Sequence, residues 1–450
     1  KGNQGAIQRV KTGKAQTGKA GNRQVDVQSG ARAVASGGKP TPATDTGGDT
    51  VNPVDGIEAD SAPEELKGAA SKAALALNLP GIDPLDKLIT DVKLETPENS
   101  LDEKTLSKFI KKLRGRPSLE VIKQLGGSEA TEGSILMALD WFSDNQEPDG
   151  RWEMAKHGSR SQYNTAGAGL AMLCYYGWGI KRGANTKHSR ALAKAVDWLL
   201  KQQREDGDLR GPGGGNHGMY AHGIAAIALC EAYGLTKDPK LKGPASRAIQ
   251  FILNAQDKNG GGWRYQPGQK GDLSVTGWHY MALHSGRMAG LEVPDEVFAR
   301  AREFISSVSG GTHNGIYGYT NPSNNRPAMT ATGMFLRQLD LAPPTDPSQQ
   351  EGAAFLKTHM LAANKVDFYF DYYATLSLYQ HQGPIWTEWN KNLKEVYVTL
   401  QHKTGANRGS WDPKGSHTNA GGRVLATGLA VLSLEVYYRL LPMYGFGRSK

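Results

Sequence analysis

One stretch recurs along this chain and limits what it can fold into. Ala138–Trp152 reads Ala-Leu-Asp-Trp-Phe-Ser-Asp-Asn-Gln-Glu-Pro-Asp-Gly-Arg-Trp. Ala195–Gly207 repeats it as Ala-Val-Asp-Trp-Leu-Leu-Lys-Gln-Gln-Arg-Glu-Asp-Gly, and Ala248–Trp263 repeats it again. Each copy has an alanine, an aromatic residue three positions on, glutamine eight positions on, and then Asp/Asn-Gly. Self-similarity at a spacing of about 55 residues marks a chain built from stacked supersecondary units, none of which buries its apolar face alone.

Each copy reads as the end of a helix running into a tight turn. Glutamine can bond the backbone groups that a helix end leaves unpaired. Asp/Asn-Gly supplies the left-handed residue that stops the helix. Read without a gap, the motif consists of Trp141, Gln146, Gly150 and Trp152, then Trp198, Gln203 and Gly207, then Gln256, Gly260 and Trp263. A sixth copy keeps Gln401 and Trp411, and copies four and five are eroded. The expected role is a clasp between each helix and the loop that follows, a device for stability and not for chemistry.

From Glu129 onward two kinds of helix alternate. Six carry charges on one face, near 131–144, 190–203, 243–256, 295–308, 348–362 and 386–402. Six are small and apolar all round, near 164–178, 218–234, 273–290, 327–340, 367–381 and 423–441. Helices apolar all round belong in a core. An open solenoid needs polar caps on its terminal repeats, yet the last apolar helix is as apolar as the first. Closing the array removes that requirement. The predicted fold is all-α, an (α/α)6 toroid over 129–445, preceded by short helical linker segments at 65–128 and a disordered tail at 1–64.

The tail explains the charge. Residues 1–39 hold eight Lys/Arg and one acid, which is +7 of the formal +9. A solvated linker needs no further mechanism. An anionic surface is the contact that such a tail suits, and with no aromatic residue interleaved for base stacking, nucleic acid is not expected. A helix is expected at 63–77 and another behind the Ser100–Glu103 capping box. Cys174 and Cys230 occupy equivalent places in successive apolar helices and are expected to be small core residues. No run of 18 apolar residues occurs. The chain begins with Lys, so an upstream signal or anchor is open. With one, the expected location is the bacterial envelope or periplasm, and without one the cytoplasm.

Helix–Gln–x–x–Asp–Gly–x–Trp units on six α-hairpins resemble the prenyltransferase/squalene-oxidase repeat, the QW-type motif of triterpene cyclases. The resemblance covers residues 129–445 and is similar to that of planctomycete-type bacterial squalene cyclase-like proteins, whose ending resembles Arg423–Tyr444 here. It implies the toroid. It does not carry an activity with it. Triterpene cyclases use an Asp-x-Asp-Asp acid, and this chain has none. Protein prenyltransferases hold zinc through Asp-x-Cys, and the matching place here is Asp272-Leu-Ser274. Thioester domains of this shape need Cys-Gly-Glu-Gln, and neither cysteine has that setting.

Two acids remain as candidate catalytic residues, Asp272 and Asp371, each at the start of an apolar helix. Asp272 also reads as a helix N-cap. Candidate cavity-lining residues at the same helix starts are Tyr220, His222, Thr276, Trp278, His279, Thr330, Tyr369, Tyr372 and Arg423. No metal set and no cofactor are expected. The functional expectation is a non-catalytic binding or scaffold module with an isoprenoid or other apolar ligand and a protein as a further partner. The alternative is a cyclase-like enzyme that uses an inner-helix Asp as general acid.

Overall fold

The computed structural model describes residues 117–212 and 215–439. The basic leader, the expected helix at 63–77 and the Ser100–Glu103 capping box lie outside the described residues.

After a short lead-in helix, α1 (Leu119–Gln124), outer and inner helices alternate. They run α2 (Glu129–Asp144) outside and α3 (Asn164–Gly177) inside, then α4 (Lys187–Gln202) and α5 (Gly218–Thr236), then α6 (Pro239–Ala255) and α7 (Leu273–Ala289). The second half runs α8 (Asp295–Ser307) and α9 (Pro327–Leu339), α10 (Pro347–Lys357) and α11 (Phe368–His381), α12 (Gly383–Leu400) and α13 (Ser416–Leu434). A final turn, α14 (Val436–Arg439), ends the described chain. Each inner helix packs on the next, and α13 packs back on α3. Outside, α12 packs on α2. Both layers therefore close, and the fold is the predicted six-hairpin toroid.

Local sequence explains the two kinds of helix. Four outer helices start on capping side chains: Ser128, Thr186, Asp238 and Asp346 accept from backbone N–H groups of the first turn. The α2 cap is a full capping box with Thr131. Inner helices are buried over most of their length. In α3, every residue from Thr165 to Tyr176 is buried, Cys174 among them. In α5, Cys230 is likewise buried and free. One inner helix departs from expectation. Instead of starting near 423, α13 starts at Ser416 and bends at Gly422, whose φ is +68°. There a Cβ would collide with backbone of Ser159 and His157.

The turn motif does more than tie a helix to its own loop. Gln146 Nε2 donates to Gly150 O (2.9 Å) and to Ala191 O of the next outer helix (2.8 Å). Gln203 reaches Pro244 O of α6 (2.9 Å), and Gln256 reaches Val297 O of α8 (3.0 Å). Gln401 reaches Ser134 O of α2 (2.7 Å), which joins the sixth repeat to the first. The clasp is thus a staple between successive outer helices. The tryptophan works separately. Trp152, Trp263 and Trp411 donate their indole N–H to Phe142, Ile252 and Tyr397 carbonyls, each at 2.8 Å, and so cap the helix just ended.

The third copy shifts register. Gly260 is not the left-handed residue there; Gly261 is, at φ +77°, because one residue is inserted before it. Gly261 faces Arg300 O of α8, as Gly150 faces Lys194 O of α4 and Gly207 faces Arg247 O of α6. The eroded fourth copy is held from the other side. Glu351 of α10 accepts N–H bonds from Thr312, His313 and Gly315 at 2.6, 2.9 and 2.8 Å. That turn forms a small antiparallel hairpin, β1 (Ser309–Gly310) with β2 (Ile316–Tyr317).

Candidate ligand site in the ring

Five of the six inner helices, α3, α5, α7, α11 and α13, line a cavity of about 270 Å³, mostly through residues near their N-termini. Tyr163 and Ala166 come from the start of α3, and His217, Tyr220, Ala221 and Ile224 from the start of α5. Trp278 enters from α7, Tyr369 from α11, and His417, Ala420, Gly421 and Leu425 from α13. Met154 and Ser161 complete the wall. The lining has no Asp, Glu, Lys, Arg or Cys.

Aromatic side chains give the wall its shape. The Trp278 ring stacks on Tyr372 at 5.7 Å with an interplanar angle of 9°, which backs the indole with a second ring. Tyr369 stacks on His417 at 4.2 Å, and His217 meets Tyr163 edge-on at 5.9 Å. A hydroxyl chain crosses the wall: Tyr220 Oη donates to Ser274 Oγ (3.0 Å), which lies 2.5 Å from Tyr369 Oη. Burial lowers the pKa of both His217 and His417 below the ordinary histidine value. Deeper in the ring, Arg439 bonds Leu173 O (3.0 Å) and Glu231 (2.5 Å), an ion pair that ties α14 to α3 and α5.

Of the residues expected to line a cavity, Tyr220, Trp278 and Tyr369 do so, and Tyr372 backs the wall. Thr276, Thr330 and His222 do not. They sit where each inner helix faces the outer turn, and they accept the backbone N–H of Trp263 (3.0 Å), Tyr317 (3.1 Å) and Leu209 (3.0 Å). His222 accepts through Nδ1, so its Nε2 donates, to Ala248 O at 3.1 Å. His279 is sandwiched between Trp263 and His222, at 5.7 and 6.0 Å, with Nδ1 3.0 Å from Val275 O and Nε2 without a hydrogen bond. Arg423 points away from the lumen to Asp412 and Ser410.

Neither candidate acid lines the cavity. Asp272 caps α7 by accepting Val275 N–H at 2.8 Å. Burial pushes its carboxyl up to about 6, against the Val275 N–H, the Tyr319 hydroxyl and the Arg264 guanidinium 3.7 Å away, all of which pull it down. Asp371 is the fourth residue of α11, as Thr276 and Thr330 are of α7 and α9. It has the same outward heading, toward Tyr397 of α12, whose hydroxyl donates to Oδ2 at 3.3 Å. Burial, then repulsion from Asp367, holds its carboxyl well above the usual range. Among the described residues no group of three or more His, Cys, Asp or Glu could hold a metal ion.

Sequence reasoning missed Tyr163, His217 as a wall residue, His417, Ala420 and Gly421. The last three enter because α13 starts seven residues earlier than its apolar run, on a polar stretch that gives no helical signal.

The sequence model of the squalene-hopene cyclase N-terminal domain matches residues 192–318. That span holds the second and third staples. No curated protein matches the chain. Among solved structures, an inactive variant of the α-1,6-mannanase GH76A of Salegentibacter sp. HEL1_6 superposes with a TM-score of 0.48 at 12% identity, over 68% of this chain and 98% of that one. An α-amylase from Clostridium perfringens gives 0.47 at 11%, over 68% and 97%. A variant of the type II terpene cyclase MstE from Scytonema, in complex with its product merosterolic acid A, gives 0.46 at 14%, over 69% and 98%. With inner and outer layers both closed, the chain is an (α/α)6 toroid whose central repeats, residues 192–318, are similar to the squalene-hopene cyclase N-terminal domain.

Proposed function

We propose that the toroid is a binding module that holds an apolar molecule in its ring without transforming it. The observation that carries this reading is the lining itself. A concave, mostly apolar pocket with a few polar groups is the usual form of a small-molecule site. Alkene or epoxide protonation needs an acid at the reacting atom, and here the wall has aromatic and aliphatic side chains and no carboxyl group. The acids at the helix starts beside the wall, Asp272 and Asp367, are committed to capping α7 and α11.

One observation favours a second reading, a cyclase-like enzyme. Burial raises the pKa of both Tyr220 and Tyr369, and Asp272 lies close enough to the wall to raise them further, while its own carboxyl titrates at about 6. A proton from it would have to pass along the Tyr220–Ser274–Tyr369 hydroxyls. The two readings separate in one experiment. The protein is mixed with geraniol, farnesol and squalene, binding is followed by calorimetry, and the extracted ligand is analysed by gas chromatography. Saturable binding of at least one ligand, with every ligand recovered unchanged, is the expected result. A cyclised product that disappears in Asp272→Asn would establish the enzyme instead. No binding by any of the three would end the binding role.

A further inference from the structure

The ring cavity does not end at its aromatic wall. It shares Ser161 and Tyr163 with a second cavity of about 350 Å³, lined by Arg160, Ser161, Gln162, Tyr163 and Pro212. Among the described residues, Arg160 is the one charged residue lining either space. Among the described residues its guanidinium makes no hydrogen bond and no ion pair, as is also the case for Arg326, Arg337 and Arg408, but of these four Arg160 alone lines one of the two cavities.

The loop that carries Arg160 is built onto the lumen wall. Arg160 N–H donates to Ala420 O at 3.0 Å, and Ser159 Oγ donates to the same carbonyl at 2.7 Å. Ala420 itself lines the inner cavity. The bend at Gly422 makes room for this loop, since a side chain there would meet its backbone. The backbone of Arg160 is therefore anchored beside an apolar chamber, and its exposed side chain carries a planar five-donor cation there.

We propose that the site takes an anionic amphiphile, with its chain in the ring cavity and a carboxylate or phosphate head on Arg160. This rests on the binding reading above and names its ligand class. Guanidinium recognises both head groups through paired N–H donors. A cationic head is disfavoured by the same residue, and by the positive ends of the inner helices that open here. The starts of α3, α5 and α13 carry no side-chain cap hydrogen bond, whereas α7 and α11 are capped by Asp272 and Asp367. Size sets the chain. A cavity of about 270 Å³ suits a short chain as the first probe.

Geraniol and geranic acid test this, because they share a ten-carbon skeleton and differ at the head. Calorimetry of the full chain at pH 8 is expected to show geranate binding at least about ten-fold tighter than geraniol, a difference of about 1.4 kcal/mol. Arg160→Gln is expected to abolish that preference by weakening geranate at least about ten-fold more than geraniol. The exposed side chain makes this variant safe for folding. Equal affinities in the wild type, or a preference that survives Arg160→Gln, would overturn the proposal and leave the binding reading intact. If neither compound binds, the proposal falls, and farnesol and squalene then decide the binding reading.

Discussion

Gly409→Ala is expected to destabilise the toroid by at least about 4 kcal/mol, a loss reserved for changes that breach close packing or backbone geometry. Two separate effects add there. Gly409 has φ +91°, a region that costs an L side chain roughly 1–2 kcal/mol. Its missing Cβ also points at Met137 O in the middle of α2, inside van der Waals contact. That carbonyl belongs to a helix and cannot swing away. The same loop receives the Gln401 staple to Ser134 of α2, so the change falls on the seam that joins the last repeat to the first.

A matched control isolates the second effect. Gly183 has φ +90°, and its Cβ would meet nothing within 4 Å. Gly183→Ala is therefore expected to cost only the dihedral strain, roughly 1–2 kcal/mol. Urea unfolding of both variants measures the difference directly, and about 2–3 kcal/mol is expected between them. Equal losses would mean that the seam yields to a methyl group and that ring closure is loose.

The second large effect is a pair of opposite pH dependences. An unfolded histidine titrates near 6.5. Burial holds folded His222 down at about 4. Burial, with His222 beside it, holds His279 at about 3. Between these values the unfolded chain binds protons that the folded chain refuses, so stability falls as pH falls below 6.5. Each group contributes about 1.4 kcal/mol per pH unit. His279→Phe keeps a ring between Trp263 and His222 and removes the bare Nε2. Its advantage over the wild type is expected to grow by about 2 kcal/mol as pH drops from 6.5 to 4.5.

Asp272 works the other way. Its folded carboxyl titrates at about 6, above the unfolded value near 3.9. The stability it contributes is present below 3.9 and is lost as pH rises through 6. Asn at this position keeps the cap on Val275 without the charge. The advantage of Asp272→Asn is therefore expected to grow by about 2 kcal/mol from pH 4 to pH 7, the reverse of His279→Phe. Urea midpoints across that range decide both. Curves for either variant that run parallel to the wild type would show that the group is not buried in the way described.

The pattern of helices was legible because it is a local property. Apolar residues at helical spacing, charged faces on alternate segments and a repeated Gln-x-x-Asp-Gly turn specify twelve helices and two layers before any contact is known. The cap role of Asp272 was equally legible, since it depends only on the first turn of its own helix. The site was less so. Thr276, Thr330, His222 and Asp371 lie at the starts of inner helices, as Tyr220 and Tyr369 do, yet they face outward. A helix apolar on every side gives no sign of which face meets the lumen, and a few residues of rotation decide it.

By itself the sequence determined that this chain stacks six helical hairpins. Only the tertiary structure decided which outer helix each glutamine reaches, that Gly261 and not Gly260 takes the left-handed place, and that Arg160 is held to Ala420 beside the cavity. The division follows from range. Periodicity and caps act within one or two turns of a helix, whereas staples, ring closure and the lining of the lumen join residues up to about 270 positions apart.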